Sequence, residues 1–408
     1  MTDAEPSPLI CGDPQVRVAV VPRLVGLVAD DLTGATDSAV QFAEAGWAAH
    51  LLRGPILDAE RADDPGLADA GPSLLAVVTG VRPTTDDVAA DRTAAAVRQL
   101  VARGCERLYV KIDSTMRGSV AGQLRGALVA WADTHPGATA VLCPAFPDQA
   151  RTVVGGEVLV GGVPLARTAA SVDAVTPVVD SRLDRLVPGA VAGTAAGLDR
   201  DPGRRHDGRV TFVDAATNAD LDAIAACVDR LGPACVAAGS AGLAAAMARR
   251  WSRGCRPAEG AASPSTRILV GVSSLHPVAL SAVRRLRDAT AGVATPVQVV
   301  TTPAVRADAA VVAADFGDRV AAQLAQSSYD VVVLVGGDGA AAVLDRIGAT
   351  AVTVHSALAP GVPIGAIVGG AADGVRIVTT SGGFGDDESL LRVIDRLQAG
   401  SHRRKEFS

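Results

Sequence analysis

Apolar runs alternate along the chain with polar loops and with segments of helical periodicity, and this alternation predicts strands followed by helices. The first unit is an apolar strand over 16–30 and a helix over 37–48, separated by the polar segment DDLTGAT. Two further units follow, with strands over 74–80 and 107–113 and helices over 86–103 and 119–132. Three consecutive units of this kind imply a parallel sheet.

The remainder of the first half continues the pattern. A fourth strand over 139–146 precedes the segments EVLV and VPLA, which flank Gly161 and Gly162. A glycine pair is suited to a two-residue hairpin turn, so we expect a small antiparallel flap there. The half ends with a strand over 211–215, a helix over 218–231 and the segment ACVAAGSAGLAAAMARRW.

A second series of strands and helices follows a segment without apolar periodicity. Residues 252–266 are rich in Gly, Pro, Ser and Ala, which is typical of an exposed linker. The elements predicted beyond it are the strand ILVGVSS, a helix over 277–289, the strand VQVVTTP, a helix over 309–326, the strand and turn DVVVLVGGDG, a helix to about 347, and GVRIVTTSGGFG as a final strand and loop.

These elements predict an α/β fold with two domains, each a mainly parallel sheet flanked by helices, and an active site in the interdomain cleft. The length of 408 residues is sufficient for two cores. Aromatic residues make up only 3% of the chain, so Ala, Val, Leu and Ile must form the core. The expected organisation is a disordered N-terminus over 1–15, a first domain over 16–251, a linker over 252–266, a second domain over 267–400 and a tail over 401–408.

Charge and hydropathy exclude two classes of partner. The net charge is −6 and no basic run is interleaved with aromatic residues, so we expect no nucleic-acid partner. The N-terminal stretch has acids and prolines where a secretory signal has a basic start and an apolar run, and no apolar segment approaches roughly 18 residues. We therefore expect a cytoplasmic protein with no membrane partner.

Cysteine and histidine spacing gives no sign of a metal held by the protein itself. No two cysteines form a C-x-x-C pair, and no two histidines have the H-E-x-x-H spacing. We expect buried free thiols and no dedicated metal ligands. The six cysteines are at positions 11, 105, 143, 227, 235 and 255.

Lysine is rare in this chain, which makes its one internal lysine a candidate for function. Of the 38 lysines and arginines, only Lys111 and, in the polar tail, Lys405 are lysines. A lysine in a sequence that otherwise uses arginine suggests a site that requires a compact ammonium group. Neither lysine lies in a G-x-x-x-x-G-K-[ST] sequence, so a P-loop enzyme is excluded.

Polar residues follow the predicted strands at the edge where an open parallel sheet binds ligands. Two adjacent carboxylates there can provide a helix N-cap and a general base, while Lys111, Ser114 and Arg117 can neutralise an anionic substrate. This combination suggests a hydroxylated carboxylate as substrate; alternatively, Asp31 or Thr33 only caps the following helix. The residues after the first strand are Asp30, Asp31, Thr33, Gly34 and Asp37, those after the third include Lys111, Asp113, Ser114, Thr115 and Arg117, and Arg82 follows the second.

Glycines open two strand ends in the second half. Glycine-rich turns allow the backbone to approach phosphates closely, although they also serve ordinary connections. Together with the loop VSSLHP over 272–277, they make three candidate phosphate loops in one domain. The glycines are Gly336, Gly337 and Gly339 after VVVLV, and Gly382, Gly383 and Gly385 after RIVTT.

Several long motifs give the chain a more specific resemblance. GLVADDLTGATD, KIDSTMRG, CPAFPDQARTVVGGEVLVGGVPLART, AAGSAGL, SSLHP, PGVP and TSGGFG occur in order across nearly the whole sequence. With these motifs the chain resembles the four-carbon acid sugar kinases. The resemblance implies a sugar acid bound in the N-terminal domain, ATP bound in the C-terminal domain, and phosphorylation of a hydroxyl of threonate, erythronate or a 3-oxo-tetronate.

The resemblance also implies roles for individual residues. Asp30, Asp31 and Lys111 would be catalytic, with one aspartate taking the hydroxyl proton, and Mg²⁺ would accompany ATP. A homodimer is an assembly that the sequence allows. The acid pocket would contain Thr33, Arg82, Lys111, Asp113, Ser114 and Arg117, and the nucleotide site Ser274, Gly336, Gly337, Asp338, Gly339, Pro360, Gly361, Ser381, Gly382 and Gly383.

The chain departs from the family pattern at two positions in the nucleotide half. Gly339 replaces the usual threonine of a Gly-Gly-Glu/Asp-Thr turn, and Thr380 replaces the lysine of Thr-Lys-Ser-Gly-Gly-Phe-Gly. A charge-assisted phosphate contact is worth roughly 1.5 to 3 kcal/mol, so the loss of the lysine predicts ATP affinity or turnover lower by about tenfold to a hundredfold.

Three hypotheses about function follow from the sequence. The first is an ATP-dependent kinase of a small sugar acid, including a kinase recruited to a different hydroxy acid. The second is a paralogue that binds a hydroxy acid but does not use ATP productively, which Gly339 and Thr380 favour. The third is an NAD-dependent enzyme, which is disfavoured because no G-x-G-x-x-G follows the first strand.

Overall fold

The computed structural model of the protein describes residues 22–53, 71–173, 175–198, 208–252, 264–290, 297–303 and 308–400. The predicted N-terminal segment, most of the linker and the tail lie outside these residues. The strands are β1 (Leu24–Ala29), β2 (Ala48–Leu52), β3 (Ser73–Val78), β4 (Arg107–Lys111), β5 (Thr139–Cys143), β6 (Arg151–Val154), β7 (Glu157–Val160), β8 (Val163–Pro164), β9 (Val191–Gly193), β10 (Val210–Val213), β11 (Cys235–Gly239), β12 (Ile268–Val272), β13 (Val297–Thr301), β14 (Val331–Val335), β15 (Ala351–Ala359), β16 (Val362–Val368) and β17 (Arg376–Thr380).

Helices connect most of the strands of the two halves. They are α1 (Leu32–Glu44), α2 (Asp86–Ala102), α3 (Val120–Ala132), α4 (Leu183–Leu186), α5 (Ala195–Leu198), α6 (Asn218–Leu231), α7 (Ala241–Ser252), α8 (Pro277–Thr290), α9 (Ala309–Gln326), α10 (Gly337–Arg346) and α11 (Ser389–Ala399). The alternation confirms the predicted α/β class. Among the described helices, none is long and apolar enough to cross a membrane.

Fourteen of the described strands, from both halves, join in one sheet. Its order is β13-β12-β14-β17-β16-β15-β2-β3-β1-β4-β11-β5-β10-β9, and most neighbours are parallel. The halves meet where β2 pairs antiparallel with β15, from Ala49 opposite Val354 to Leu52 opposite Ala351. The sequence analysis expected a mainly parallel sheet in each half; the two sheets are continuous through this pair.

The first helix begins earlier than the helical period of the sequence indicates. We expected a loop over DDLTGAT and a helix over 37–48, but α1 begins at Leu32 and ends at Glu44. Asp31 is the N-cap, and its side chain accepts a hydrogen bond from the backbone N–H of Gly34. The polar residues of the motif therefore form the first turn of the helix. Several of them face a cavity and not the apolar core. Beyond the helix, residues 48–52 form β2.

The predicted flap is present as a separate sheet. The strands β6, β7 and β8 are antiparallel, and the turn at Gly161 and Gly162 joins β7 to β8 as expected. An isolated bridge between Phe146 and Arg151 connects the start of the flap to the chain leaving β5. The flap is thereby fixed beside the carboxyl ends of the main strands.

Close contact between helices compensates for the shortage of aromatic residues. Gly122 and Gly126 of α3 face the backbone of α2, and a Cβ at either position would meet the carbonyl oxygen of Asp86 or Ala90. Such contacts allow a core of small aliphatic residues to pack densely. The resulting layers hold the strand ends in a fixed geometry around the site.

Candidate active site

The parallel register brings three polar strand ends together at one edge of the sheet. Ala29 of β1 lies opposite Lys111 of β4, and Gly239 of β11 lies on the other side of Lys111. The residues that follow, Asp30 and Ser240, are consequently neighbours of this lysine. This edge is the one where an open parallel sheet binds its ligands.

One cavity of about 830 Å³ connects this edge with loops of the second half. The N-terminal half contributes carboxylates and cations, and the C-terminal half contributes glycines and small polar residues. Predicted site residues that line the cavity are Asp31, Thr33, Arg82, Lys111, Asp113, Ser114 and Arg117 from the first half and Ser274, Gly361, Ser381, Gly382 and Gly383 from the second.

Asp31 is held by four hydrogen bonds at the start of α1. Its Oδ1 accepts from the backbone N–H of Gly34 at 2.9 Å and its Oδ2 from the hydroxyl of Thr33 at 2.6 Å. Arg82 donates to both oxygens, at 2.9 and 3.1 Å. Burial acts to raise the pKa of Asp31, but the charges of Arg82 and Lys111 outweigh it and lower the pKa.

Asp30 lies beneath the pocket, whereas Asp31 lines it. The side chain of Asp30 is fully buried and accepts two hydrogen bonds from Arg82, at 2.7 and 3.0 Å. Burial raises the pKa of Asp30 in spite of this arginine. The guanidinium of Arg82 thus donates hydrogen bonds to two adjacent carboxylates. Its own pKa is raised well above the usual range, since the two negative charges outweigh the effect of burial.

Asp113 and Arg117 form a second fixed pair after β4. Arg117 donates to both oxygens of Asp113 at 2.9 Å and reaches Asp173 at 3.3 Å. Burial alone would raise the pKa of Asp113, but Arg117 and Arg82 hold it well below its usual range. Both arginines that the sequence analysis assigned to substrate are therefore already paired with carboxylates.

Lys111 lies between the aspartate pair held by Arg82 and the pair of Asp113 and Arg117. It is only 4% exposed. Its ammonium donates to the backbone oxygen of Ile112 at 2.9 Å. A Cβ at Gly34 would lie 2.9 Å from the ammonium nitrogen and 2.5 Å from Asp31 Oδ1, so the first turn of α1 requires glycine there. The compact ammonium thus fits beneath the helix N-terminus. The sequence analysis singled out this lysine because it expected a site that requires such a group.

Asp37 joins the site, although the sequence analysis assigned it no role. It lies on the second turn of α1, lines the same cavity, and its Oδ1 has no hydrogen-bond partner among the described residues. Burial raises the pKa of Asp37 to about 6, against the opposing charge of Lys111. Its place six residues after Asp31 was visible in the sequence, but only the start of α1 shows that both face one cavity.

Other lining residues were not predicted as site residues, although Phe146, Arg151, Thr168 and Ser240 lie within motifs that carry the family resemblance. They come from the flap, from the segment beyond it and from the loop after β11, whose positions depend on tertiary contacts. These residues include Phe146, Arg151, Thr168, Asp173 and Ser240.

Three loops of the second half meet closely on the opposite wall. A Cβ at Gly382 would collide with the side chain of Ser274, and a Cβ at Gly336 would lie 2.5 Å from the hydroxyl of Ser273. A Cβ at Gly383 would lie 3.5 Å from the ring of His276, and one at Gly361 would lie 3.3 Å from the ring of Phe384. The absent side chains expose backbone and hydroxyl groups on this wall, beside His276 and Phe384, and such groups suit a polyphosphate.

The predicted nucleotide residues of the turn after β14 do not line this cavity. Gly336 is the N-cap of α10, and a Cβ at Gly337 would lie 3.0 Å from Asp31 Oδ2. Asp338 lines a second cavity beside α9, and burial, followed by the charge of Asp31, raises its pKa. Pro360 precedes Gly361 at the tip of the β15–β16 hairpin and is likewise absent from the wall.

Gly339, one of the two departures from the family pattern, has a structural cause. A Cβ at this position would collide with Ser273 and lie 3.0 Å from the ring of Phe316. Thr380, the other departure, ends β17, and its backbone oxygen accepts a hydrogen bond from the N–H of Gly336 at 3.0 Å. The packing around Gly339 therefore leaves no room for the threonine hydroxyl.

The wall of the second half offers donors that suit the phosphates of a nucleotide. Backbone groups at Gly382 and Gly383 and the hydroxyls of Ser274 and Ser381 are suited to phosphate oxygens. Asp31 is the carboxylate of the acid pocket nearest to the N-terminus of α10. No group of three or more His, Cys, Asp or Glu that could hold a metal occurs in the part of the chain described.

A polar pocket for a small anion and a glycine-lined wall, open to one cavity between two α/β halves, define a small-molecule kinase. Family models match the two halves in turn. The sugar-binding N-terminal domain matches residues 25–247, and the nucleotide-binding C-terminal domain matches residues 272–390.

Known proteins agree with this class over almost the whole chain. A D-threonate kinase of Bordetella bronchiseptica is 36% identical, over 92% of this chain and 97% of that protein. A 3-oxo-tetronate kinase of Cupriavidus necator is 28% identical, over 93% and 98%. The chain belongs to the four-carbon acid sugar kinase family, and it is therefore a phosphotransferase.

Solved structures share the fold. A protein of Bordetella bronchiseptica, crystallised with bound citrate as a domain-swapped dimer, is 36% identical with a TM-score of 0.50, and covers 92% of this chain and 98% of its own. A Haemophilus influenzae protein is 20% identical with a TM-score of 0.66, and covers 91% of this chain and all of its own.

Proposed function

We propose that the protein transfers the γ-phosphoryl group of ATP to a hydroxyl of a four-carbon sugar acid: threonate, erythronate or a 3-oxo-tetronate. The observation that carries the proposal is the shared cavity, into which Asp31 and Lys111 open from one wall and Ser274, Gly382 and Gly383 from the other. D-Threonate is the first acid to test, because the D-threonate kinase of Bordetella bronchiseptica is 36% identical to this chain.

The proposed chemistry assigns separate tasks to the residues of the first half. Asp31 orients the substrate hydroxyl and accepts its proton, because it is the member of the aspartate pair that lines the cavity. Lys111 neutralises negative charge that accumulates beside it as the phosphoryl group moves. Arg82 acts through the carboxylates, since its hydrogen bonds fix Asp30 and Asp31 in position.

The second half would hold the nucleotide. Bound ATP with Mg²⁺ supplies the phosphoryl group and offsets the charge on its oxygens. Ser274, Ser381 and the backbone at Gly382 and Gly383 would bind the phosphates, while Gly361 leaves space on the same wall. The N-terminus of α10 adds a partial positive charge beside Asp31.

A test of this function measures ADP release with Mg²⁺ present against a panel of tetronates and pentonates. The expected result is ADP formed only with an acceptor acid, in an amount equal to phosphorylated acid. A panel in which no acid yields ADP would reject the proposal.

The alternative is an acid-binding paralogue that makes no productive use of ATP, and Thr380 is the residue that favours it. Titration calorimetry separates the two functions. Binding of both the acid and ATP supports the kinase, whereas binding of the acid without binding of ATP supports the paralogue.

We further propose that the protein forms a homodimer, as the Bordetella bronchiseptica structure does in its domain-swapped form. Light scattering coupled to size-exclusion chromatography tests this assembly. A mass of twice 41.1 kDa is expected, and a mass of one chain would contradict it.

A further inference from the structure

The cations that line the cavity differ in how far their donors are already used. Arg82 makes four hydrogen bonds to Asp30 and Asp31. Arg117 makes three side-chain hydrogen bonds, two to Asp113 and one to Asp173. A substrate carboxylate that displaced either arginine would leave a buried acid unpaired, which is costly. Neither arginine is therefore a suitable primary site for the carboxylate of the substrate.

Arg151 is the lining arginine that forms no hydrogen bond with an acidic side chain among the described residues. Its side chain donates from Nη1 to the backbone oxygen of Gln149. Its Nε is buried and has no hydrogen-bond partner in the described part of the chain. Burial and the charge of Arg117 lower the pKa of Arg151 more than the charge of Asp113 raises it, so the guanidinium is only partly compensated by an anion.

The backbone of Arg151 is fixed, which gives its side chain a defined origin. Ala150 before it has the left-handed φ of 54°, and Arg151 pairs with Phe146 through two backbone hydrogen bonds of 2.8 and 3.1 Å. Phe146 follows β5 of the main sheet. The guanidinium therefore projects from the junction of flap and sheet toward the cavity that Lys111 also lines.

We propose that Arg151 binds the carboxylate of the sugar acid and thereby selects acids over uncharged polyols. This inference rests on the proposed function and adds the orientation of the bound substrate. Its carboxylate lies at the flap, and its hydroxylated end extends toward Asp31 and Lys111. A guanidinium binds a carboxylate through charge-assisted hydrogen bonds, and Nη2 of Arg151, which has no partner among the described residues, is available to donate one.

The test compares an acid with an uncharged analogue of the same length. Calorimetry measures binding of D-threonate and of threitol to the wild-type protein and to the variants Arg151→Met, Arg151→Lys and Arg167→Met. Arg167 is an exposed arginine three residues after β8, the last strand of the flap, and does not line the cavity, so Arg167→Met is the matched control.

Arg151→Met is expected to weaken D-threonate binding about tenfold to a hundredfold, the loss expected for a charge-assisted contact, and to leave threitol binding unchanged. Arg151→Lys is expected to retain part of the preference for the acid. Arg167→Met is expected to retain all of it. The same measurements are made with D-erythronate and erythritol, so that the result does not depend on one stereoisomer.

Two results would overturn the role of Arg151: an equal loss of acid and polyol binding, which indicates a structural role, or no loss of acid binding. Circular dichroism at the temperature of the titration verifies that each variant is folded. Because acid binding is measured without ATP, a failure of phosphoryl transfer would reject the proposed function and leave this test intact.

Discussion

Two adjacent aspartates of one motif have different environments. The side chain of Asp30 is fully buried against Arg82, and burial raises its pKa. Asp31 opens into the cavity, and Arg82 and Lys111 overcome the effect of burial to lower its pKa. Their order in the sequence could not distinguish them, because only the start of α1 determines which carboxylate faces the ligand.

This difference predicts that the two aspartates fail in different ways when their charge is removed. Asp31→Asn is expected to lower kcat about 100-fold or more while the protein stays folded, since the substrate hydroxyl loses its proton acceptor. Asp30→Ala, which removes the charge and both acceptor oxygens, is expected to lower the free energy of unfolding by roughly 3 kcal/mol, because Arg82 loses two buried hydrogen bonds. Kinetic assays and urea denaturation measure the two effects.

Asp133→Asn, at an exposed pair with Arg98, is the control, with little change expected in either quantity. Full activity in the Asp31→Asn variant would show that a different group accepts the proton.

Asp37 gives a prediction about pH and stability. Its pKa is about 6 in the folded protein, above the value near 3.9 of an unfolded chain, so the folded state binds its proton more tightly. The free energy of unfolding therefore falls as the pH rises from about 4 to about 6, by roughly 3 kcal/mol at most. Asp37→Asn removes this penalty.

Urea denaturation should accordingly show Asp37→Asn to be more stable than the wild-type protein at pH 7.5 and about equally stable near pH 4. The difference between the two pH values is the readout, because it cancels changes in packing. A variant that is less stable at pH 7.5 than at pH 4, relative to wild type, would contradict the raised pKa that burial gives this carboxylate.

At the scale of elements, the sequence was most informative where strands and helices alternate with a clear apolar period. The predicted helix over 218–231 is found as α6, with both of its limits correct. The hairpin of β15 and β16 and the last helix, α11, were not predicted. Short strands such as β2 were hidden at the end of a helical pattern, because five residues cannot establish a period.

The first turn of α10 gives a prediction about the departure at Gly339. Gly339→Thr restores the residue that the family pattern contains, but its side chain would collide with Ser273 and Phe316. Overpacking of this kind costs about 1 to 3 kcal/mol. Chemical denaturation should show this loss for Gly339→Thr and a recovery in the double variant with Ser273→Gly.

Ala341→Thr provides the comparison, since Ala341 is on the same helix beside the open second cavity. Gly339→Thr with unchanged stability would mean that the glycine reflects altered nucleotide use and not local packing.

At the scale of the whole molecule, the two halves are joined by backbone and side-chain contacts. β2 pairs with β15, Arg53 donates to the backbone oxygen of Ala341 at 3.1 Å, and Thr36 shares a 2.8 Å hydrogen bond with Thr379. The sequence predicted two separate sheets because contacts between distant segments leave no periodic signal. The cavity between the halves follows directly from this junction.

Continuity of the sheet predicts that the two halves unfold together. All three tryptophans, Trp47, Trp131 and Trp251, belong to the first half, so their fluorescence reports on that half alone. Far-ultraviolet circular dichroism reports on both halves. The two signals should give the same midpoint in urea, and a second transition seen only by circular dichroism would show that the halves unfold independently.

The central claim is that one cavity between the halves brings a sugar acid to ATP. Phosphorus NMR of wild-type protein with ATP, Mg²⁺ and D-threonate, D-erythronate or a 3-oxo-tetronate tests it most directly. The account predicts a new phosphomonoester signal that grows as ATP is converted to ADP, and that is lost in Asp31→Asn. Conversion of ATP to ADP with inorganic phosphate as the only product, or no conversion with any acid, would contradict it.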